Sequence, residues 1–121
     1  MAHTDSLEVI VQFNDAFNRH DLDAVMNLMT EDCLFENTTP PPDGARYAGQ
    51  PAVRAAFAAI FAASPRLWLD FEDVFVTEDH GVSRWIYRWD NGPADRGRIR
   101  GVDVLRLRDG KIAEKLSYVK G

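Results

Sequence analysis

Asp103 is the residue whose type and setting best suit chemistry, because it interrupts the apolar face of a predicted strand. Residues 99–107 alternate in polarity, and Asp103 shares its face with Ile99, Leu105 and Leu107, since successive side chains of a strand point to opposite faces. A single carboxylate on such a face is partly desolvated, and desolvation raises its pKa. A carboxylic acid kept neutral in this way can donate a hydrogen bond to a developing oxyanion. Asp103 is therefore a candidate proton donor or electrostatic contact.

A structural role for Asp103 fits the same pattern equally well. Buried charges are commonly paired, because an isolated charge is costly to remove from water. Arg84 and Arg88 lie on the preceding predicted strand, and either of them, or a tyrosine hydroxyl, is a suitable partner for the carboxylate. Both interpretations of Asp103 stay open on the sequence alone.

Aromatic side chains occupy every second position of the strand predicted over Val82 to Asp90. Trp85, Tyr87 and Trp89 share one face of that strand, where they form a broad ring-lined surface. Such a surface can line a pocket for an apolar ligand, with Trp85 and Tyr87 as its walls. It can equally pack against helices as ordinary core, and the sequence does not separate the two.

The stretch Phe35-Glu36-Asn37 ends a predicted buried strand in a polar exit that prolines stiffen. Alternation places Phe35 and Asn37 inward and Glu36 outward. Pro40 to Pro42 cannot donate to a sheet ladder, so they lie at an edge or in a loop. An inward amide needs partners from backbone, water or a ligand, which makes Asn37 a candidate for the rim of a pocket. A local turn role for Asn37 is the alternative.

Metal and cofactor chemistry have no motif in this sequence. The three histidines are isolated near predicted turns or element ends, and there is neither a glycine-rich phosphate loop nor a nucleophile elbow. We therefore expect no metal and no cofactor. The single cysteine, Cys33, lies in an apolar run and is expected to be part of the core rather than a nucleophile.

Length and charge limit the partners of this chain. Its 121 residues predict one domain over residues 1–121. The net charge of −5 is unfavourable for sequence-independent nucleic-acid binding, and no apolar run approaches the roughly 20 residues of a membrane span. We expect no nucleic-acid partner and no membrane partner. The single cysteine and an N-terminus without a secretory signal predict a cytoplasmic location.

The elements that must hold these residues are helices in the first half of the chain and strands in the second. Helical apolar periodicity precedes His20, continues from Asp21 to Met29 and returns after Gly49-Gln50-Pro51. A short strand is predicted over Cys33 to Thr38. Four more strands joined by turns complete the chain, and Asp109-Gly110 signals the last hairpin. This order predicts an α+β fold in which a curved, mostly antiparallel sheet wraps around about three helices.

Four segments of the chain resemble the nuclear transport factor 2-like superfamily, on its polyketide-cyclase-like (SnoaL-like) side. They are residues 17–25, 28–33, 49–54 and 102–114, which read FNRHDLDAV, LMTEDC, GQPAVR and VDVLRLRDGKIAE. The resemblance covers nearly the whole chain and implies a cone-shaped barrel with a deep pocket. It also implies a homodimer through the outer face of the sheet. The activity stays open, because the family holds isomerases, cyclases, epoxide hydrolases, dehydratases and non-enzymatic modules.

Individual positions match the enzymes of this superfamily only in part. Asp103 matches the oxyanion-hole aspartate of ketosteroid isomerases, whereas Asn37 stands where they have their base and Phe13 where they have an oxyanion-hole tyrosine. Phe35-Glu36-Asn37 resembles the Tyr-x-Asn with which limonene-epoxide hydrolases hold the attacking water, without the hydroxyl. The resemblance therefore carries over Asp103 and Asn37 and leaves the other catalytic positions unmatched.

These observations together predict a cofactor-free pocket protein that binds a small, largely apolar molecule. The expected activity is acid–base isomerisation, cyclisation or hydration, with Asp103 and Asn37 as catalytic residues. The expected substrate-binding residues are Phe13, Phe35, Trp85 and Tyr87. A non-catalytic ligand-binding or dimerisation module is the alternative. The sequence does not decide which face of the last strand points into the pocket: either Lys115, Ser117 and Val119 point inward, or Tyr118 and Lys120 do.

Overall fold

The computed structural model describes residues 3–120 of the chain as three helices and six strands. The helices are α1 (His3–Asn18), α2 (Leu22–Asn27) and α3 (Gln50–Ala63). The strands are β1 (Met29–Glu36), β2 (Arg46–Ala48), β3 (Leu67–Thr77), β4 (His80–Asp90), β5 (Arg96–Arg108) and β6 (Lys111–Val119). The predicted α+β class is confirmed, with the helices in the first half and the long strands in the second.

All six strands form one curved sheet in the order β2-β1-β6-β5-β4-β3. Neighbouring strands are antiparallel except β1 and β6, which are parallel. The sheet is not closed, because β2 and β3 are its two edges. Helix α1 contacts β3, β4 and β6, and helix α3 contacts β1 and β2. The helices therefore lie inside the curve of the sheet, as in the cone that the resemblance implies.

Local signals in the sequence define the starts of two helices. Asp21 caps α2 by accepting a hydrogen bond from the Ala24 N–H at 3.1 Å. Pro51 lies in the first turn of α3, where a missing N–H breaks no helical hydrogen bond. Each of the three helices then buries an apolar face in the shared core. The core side chains from the helices include Ile10, Phe13, Phe17, Val25, Val53 and Phe57.

Two elements in the first half differ from the sequence prediction. Strand β1 begins at Met29 and ends at Glu36, not at Cys33 and Thr38, because its pairing with β6 already starts at Met29. Strand β2 is absent from the sequence prediction. Its three residues pair only with the end of β1, and so short an edge strand carries no periodic signal.

The last hairpin has the turn that its sequence predicts. Asp109 and Gly110 both have positive φ, +55° and +75°, as a two-residue turn of type I′ requires. Strands β5 and β6 pair on either side of this turn. Their register shifts by one residue near Arg106, at a β-bulge.

The outer face of the sheet carries arginines that pair with acids on other strands. The pairs are Arg88–Asp70, Arg100–Glu72, Arg106–Glu114 and Arg108–Asp32. The hydrogen bond from Arg108 lowers the pKa of the Asp32 carboxyl. Between residues 3 and 120, the helices are all too short or too polar to cross a membrane. The homodimer through the outer face and the cytoplasmic location stay predictions.

Candidate active site

A cavity of about 460 Å³ lies between the inner face of the sheet and helices α1 and α3, a size typical of small-molecule sites. Aromatic and aliphatic side chains make up most of its wall. The structure places six residues singled out in the sequence on this wall: Phe13, Phe35, Asn37, Trp85, Tyr87 and Asp103. No group of three His, Cys, Asp or Glu side chains in the described part of the chain could hold a metal ion.

Asp103 meets Lys115 and Ser117 on the cavity wall. Lys115 Nζ lies 3.1 Å from Asp103 Oδ1 and 2.9 Å from Ser117 Oγ. Ser117 Oγ donates to the same carboxylate oxygen at 2.6 Å. All three residues are at most 8% exposed. A buried ion pair needs additional hydrogen bonds to offset the desolvation of its charges, and the serine provides one to each partner.

The pairing with Lys115 corrects the expectation of a lone carboxylate at Asp103. Lys115 and Ser117 both donate to its Oδ1, so in the resting site Asp103 accepts hydrogen bonds instead of donating one. Neither of the arginines considered as partners reaches it. Arg84 and Arg88 lie on the opposite face of β4 from the buried Ser83, and Arg88 pairs with Asp70 there.

The β-bulge decides which side chains of β6 enter the cavity. A regular ladder continued from the Asp109-Gly110 turn would set Leu116 opposite Asp103. The bulge shifts the pairing by one residue, so that Ser117 lies opposite Asp103 and Lys115 points inward. The inward set is therefore Lys115, Ser117 and Val119, and the outward set includes Tyr118.

Two aromatic rings flank the Lys115 ammonium. Nζ lies 5.0 Å from the centroid of Phe35 and 5.6 Å from that of Phe17, distances at which a ring face attracts a cation. Asp103 is part of the cavity wall and keeps a second oxygen, Oδ2, to which no side chain among residues 6–120 donates. The carboxylate thus has one free acceptor oxygen on the cavity wall, beside the ammonium of Lys115.

A second polar pair, Asn14 and Ser83, extends the cluster. Asn14 Nδ2 donates to Ser83 Oγ at 3.1 Å, although 69 positions separate the two residues, and both are nearly fully buried. Ser83 on β4 and Ser117 on β6 both lie opposite Asp103, so three polar side chains form a row across the sheet. Sequence reasoning did not single out Asn14 or Ser83. The one sequence signal that could have indicated Ser83 is strand alternation, which places it on the same face of β4 as the aromatic residues.

Asn37 lies at the cavity mouth, on a loop that folds back tightly. Its backbone N–H donates to the Ala45 carbonyl at 2.9 Å, and its Oδ1 accepts from the Thr38 N–H at 2.7 Å. The turn role considered for Asn37 is therefore present, and its Nδ2 is the group left to reach a ligand. Glu36 belongs to the other face, where it pairs with Arg46 at 3.2 Å.

Gly44 allows the loop to fold back on Asn37, and we expect alanine there to disturb the mouth. Gly44 has a φ of +79°, and a Cβ would overlap the carbonyl oxygen of Asn37. Gly44→Ala should lower the free energy of unfolding by about 1–3 kcal/mol, measured by denaturant titration. Gly110→Ala is the control, because it has a similar φ but open space around a Cβ. A loss no larger than that of the control would contradict the close approach at Asn37.

Glycines of β5 accommodate the aromatic wall of the cavity. Trp85 lies opposite Gly101 and Trp89 opposite Gly97, and in each case a Cβ would run into the indole ring. The two rings therefore lie close against the sheet, which leaves the cavity open above them. Burial raises the pKa of Tyr87, which lies between them on the same strand, so its hydroxyl stays protonated at neutral pH.

We expect Gly101→Ala to push Trp85 toward the cavity and to destabilise the fold. A Cβ at Gly101 would overlap the Tyr118 carbonyl oxygen as well as the Trp85 ring, so the backbone must move. The free energy of unfolding should fall by about 1–3 kcal/mol, and the near-ultraviolet circular dichroism of tryptophan should change. In the control, Gly97→Ala, the nearest obstacle is only the Trp89 side chain. Equal effects of the two substitutions would show that Gly101 has no special role in seating the wall.

Comparisons with known proteins agree with this architecture. A family model described as a SnoaL-like domain matches residues 10–115. An NTF2-like protein of unknown function from Mesorhizobium loti is 41% identical, over 98% of this chain and 93% of its own, with a TM-score of 0.84. A putative polyketide cyclase from Sinorhizobium meliloti is 20% identical, over 92% of this chain and 94% of its own, with a TM-score of 0.75. An LEH-like epoxide hydrolase from M. tuberculosis is 17% identical, over 98% of this chain and 84% of its own, with a TM-score of 0.79.

The cyclase and the hydrolase are distant enough that their likeness shows the fold alone. No curated protein matches the chain. The family model, by contrast, runs from the middle of α1 to the middle of β6 and includes both Asp103 and Lys115. With that match, and with a relative at 41% identity over almost its whole length, the chain belongs to the family of SnoaL-like domains.

Proposed function

We propose that this protein binds a small, largely apolar molecule in its cavity and acts on it by acid–base chemistry without a cofactor. The observation that carries the proposal is the free oxygen of a buried, ion-paired Asp103 on a mostly apolar wall. A carboxylate in that setting can take a proton from a bound molecule or from water and return it elsewhere. Isomerisation, cyclisation and hydration all need such a transfer. The putative cyclase and the epoxide hydrolase of similar fold are consistent with these reaction classes.

The proposed roles follow from the positions of the side chains. Asp103 is the proton acceptor, because its Oδ2 accepts no hydrogen bond from the side chains of residues 6–120 while its Oδ1 is fixed by two hydrogen bonds. Asn37, at the mouth, orients water or a carbonyl group through its amide nitrogen. The apolar body of the ligand packs against the aromatic wall, formed by Phe13, Phe35, Trp85 and Tyr87.

A non-catalytic ligand-binding or dimerisation module is the second candidate. It is favoured by Asn37 and Phe13, which replace the base and the oxyanion-hole tyrosine of the isomerases that the chain resembles. The open cavity of about 460 Å³ argues against a purely structural module, because such a module has no need to keep Phe13, Trp85 and Tyr87 apart. Among the non-catalytic roles, a small-molecule binder is therefore the stronger one.

Ligand identification and turnover assays test the proposal together. Native mass spectrometry of the purified protein shows whether it carries a small molecule. Assays with unsaturated ketones, linear polyketone esters and epoxides then show whether any of these classes is isomerised, cyclised or hydrated. Turnover of one class supports the enzyme. If the protein carries a small molecule but does not convert it, the non-catalytic binder is favoured. If it retains no apolar probe at all, both the enzyme and the binder are contradicted.

A further inference from the structure

One hydrogen-bond donor of Lys115 has no acceptor in the described part of the chain. A protonated lysine has three N–H donors. Two are directed at Asp103 Oδ1 and Ser117 Oγ, at 3.1 and 2.9 Å, and neither the described backbone nor the side chains of residues 6–120 place a third acceptor within reach. The rings of Phe17 and Phe35 attract the charge, but a ring face is a weak hydrogen-bond acceptor. The ammonium is therefore incompletely satisfied.

The ammonium of Lys115 lies among groups of the cavity wall. Lys115 is part of that wall, and its side chain is 9% exposed. The groups next to the ammonium line the same cavity: Asp103, Ser117, Phe17 and Phe35. A buried donor without an acceptor costs free energy. An oxygen atom of a bound molecule would remove that cost.

The charges of the site are balanced before a ligand enters. Asp103 and Lys115 form one neutral pair, and the other ionisable carboxyl on the wall is Asp95 at the mouth. A ligand carboxylate would bring an additional negative charge into apolar surroundings, which is unfavourable unless a further cation pairs with it. A neutral carbonyl oxygen supplies the missing acceptor and adds no charge.

We infer that Lys115 binds the ligand directly, and that the ligand is a neutral, largely apolar molecule with an oxygen acceptor such as a carbonyl group. The inference rests on the proposed function, because it requires a small apolar molecule in the cavity. Ketones, aldehydes and esters belong to this class, whereas carboxylates do not. Lys115 then discriminates among apolar molecules that fit the cavity equally well.

Three probes of similar size test the inference: 2-acetylnaphthalene, 2-isopropylnaphthalene and 2-naphthoate. Their dissociation constants are measured at neutral pH by calorimetry or ligand-observed NMR. The wild-type protein should bind the ketone about tenfold or more tightly than the hydrocarbon, because a hydrogen bond from a charged donor is worth roughly that much. It should also prefer the ketone to the carboxylate. Lys115→Met should lose the preference for the ketone and keep its affinity for the hydrocarbon.

Two further variants keep this test decisive. Asp103→Asn/Lys115→Met removes both charges, so it gives the same readout if the single variant fails to fold. Lys111→Met, at an exposed position of the same strand, should keep the preference for the ketone. Equal binding of ketone and hydrocarbon by the wild type, or tighter binding of 2-naphthoate, overturns the inference and leaves the proposed function standing. Binding of none of the three probes overturns the proposed function as well.

Discussion

Replacing Asp103 by asparagine is expected to lower kcat/KM about 10²–10⁴-fold for any substrate that the protein turns over. Asparagine keeps the shape of the side chain, and its oxygen can still accept the bonds that Lys115 and Ser117 donate to Oδ1. It cannot take up a proton from the substrate. The loss should therefore appear in kcat more than in KM, since the ligand still meets the same wall. Steady-state kinetics measure both, and thermal unfolding of the variant shows that it is folded.

Ser117→Ala is the matched control for the loss of the carboxylate. It removes one hydrogen bond to Oδ1 and leaves the carboxylate and the ammonium of Lys115 in place, so the loss of activity should be much smaller.

Asn37→Ala tests the amide group at the cavity mouth. Unchanged kcat/KM in both Asp103→Asn and Asn37→Ala would remove the catalytic assignment and leave a binding module.

The inward positions of β4 and β5 could be predicted because strand alternation is a local property of the sequence. Asp103 interrupts an apolar face, and Trp85 and Tyr87 repeat with period two, so each is assigned to the inner face without knowledge of its partners. The same argument placed Asn37 inward and Glu36 outward. In each case the side chain could be oriented from its own segment, and the structure places it on that side of the sheet.

The inward orientation of Lys115 could not be decided in this way, because it depends on the pairing of distant segments. A shift of one residue moves every side chain of a strand to the opposite face. The bulge near Arg106 makes such a shift between β5 and β6, and a second irregularity, between Met29 and Leu34, lies in the pairing of β1 with β6. From the sequence, Lys115, Ser117 and Val119 are one of two alternative inward sets of the last strand. The register turns Lys115 toward Asp103, whereas the partners considered for the carboxylate were Arg84, Arg88 or a tyrosine hydroxyl.

The partnership of Lys115 with Asp103 has a large consequence for stability. Lys115→Met is expected to lower the free energy of unfolding by about 3–5 kcal/mol at neutral pH, because it leaves a buried carboxylate without its counter-charge. Methionine fills a similar volume, so packing loss is not the main cause. Denaturant titrations of the variant and of the wild type measure this loss.

Two control variants test whether the lost stability of Lys115→Met comes from the unpaired charge. In the double variant Asp103→Asn/Lys115→Met no charge is left unpaired, so most of the lost stability should return, as expected when neutral groups replace a buried ion pair. Lys111→Met, at an exposed position, should change the free energy of unfolding by about 0.5 kcal/mol or less. If Lys115→Met destabilised the protein no more than Lys111→Met does, or if the double variant were as unstable as the single one, the ion pair would not hold the cavity wall together. The proton acceptor proposed for Asp103 would then lose its fixed position as well, because the same two contacts fix its carboxylate on the cavity wall.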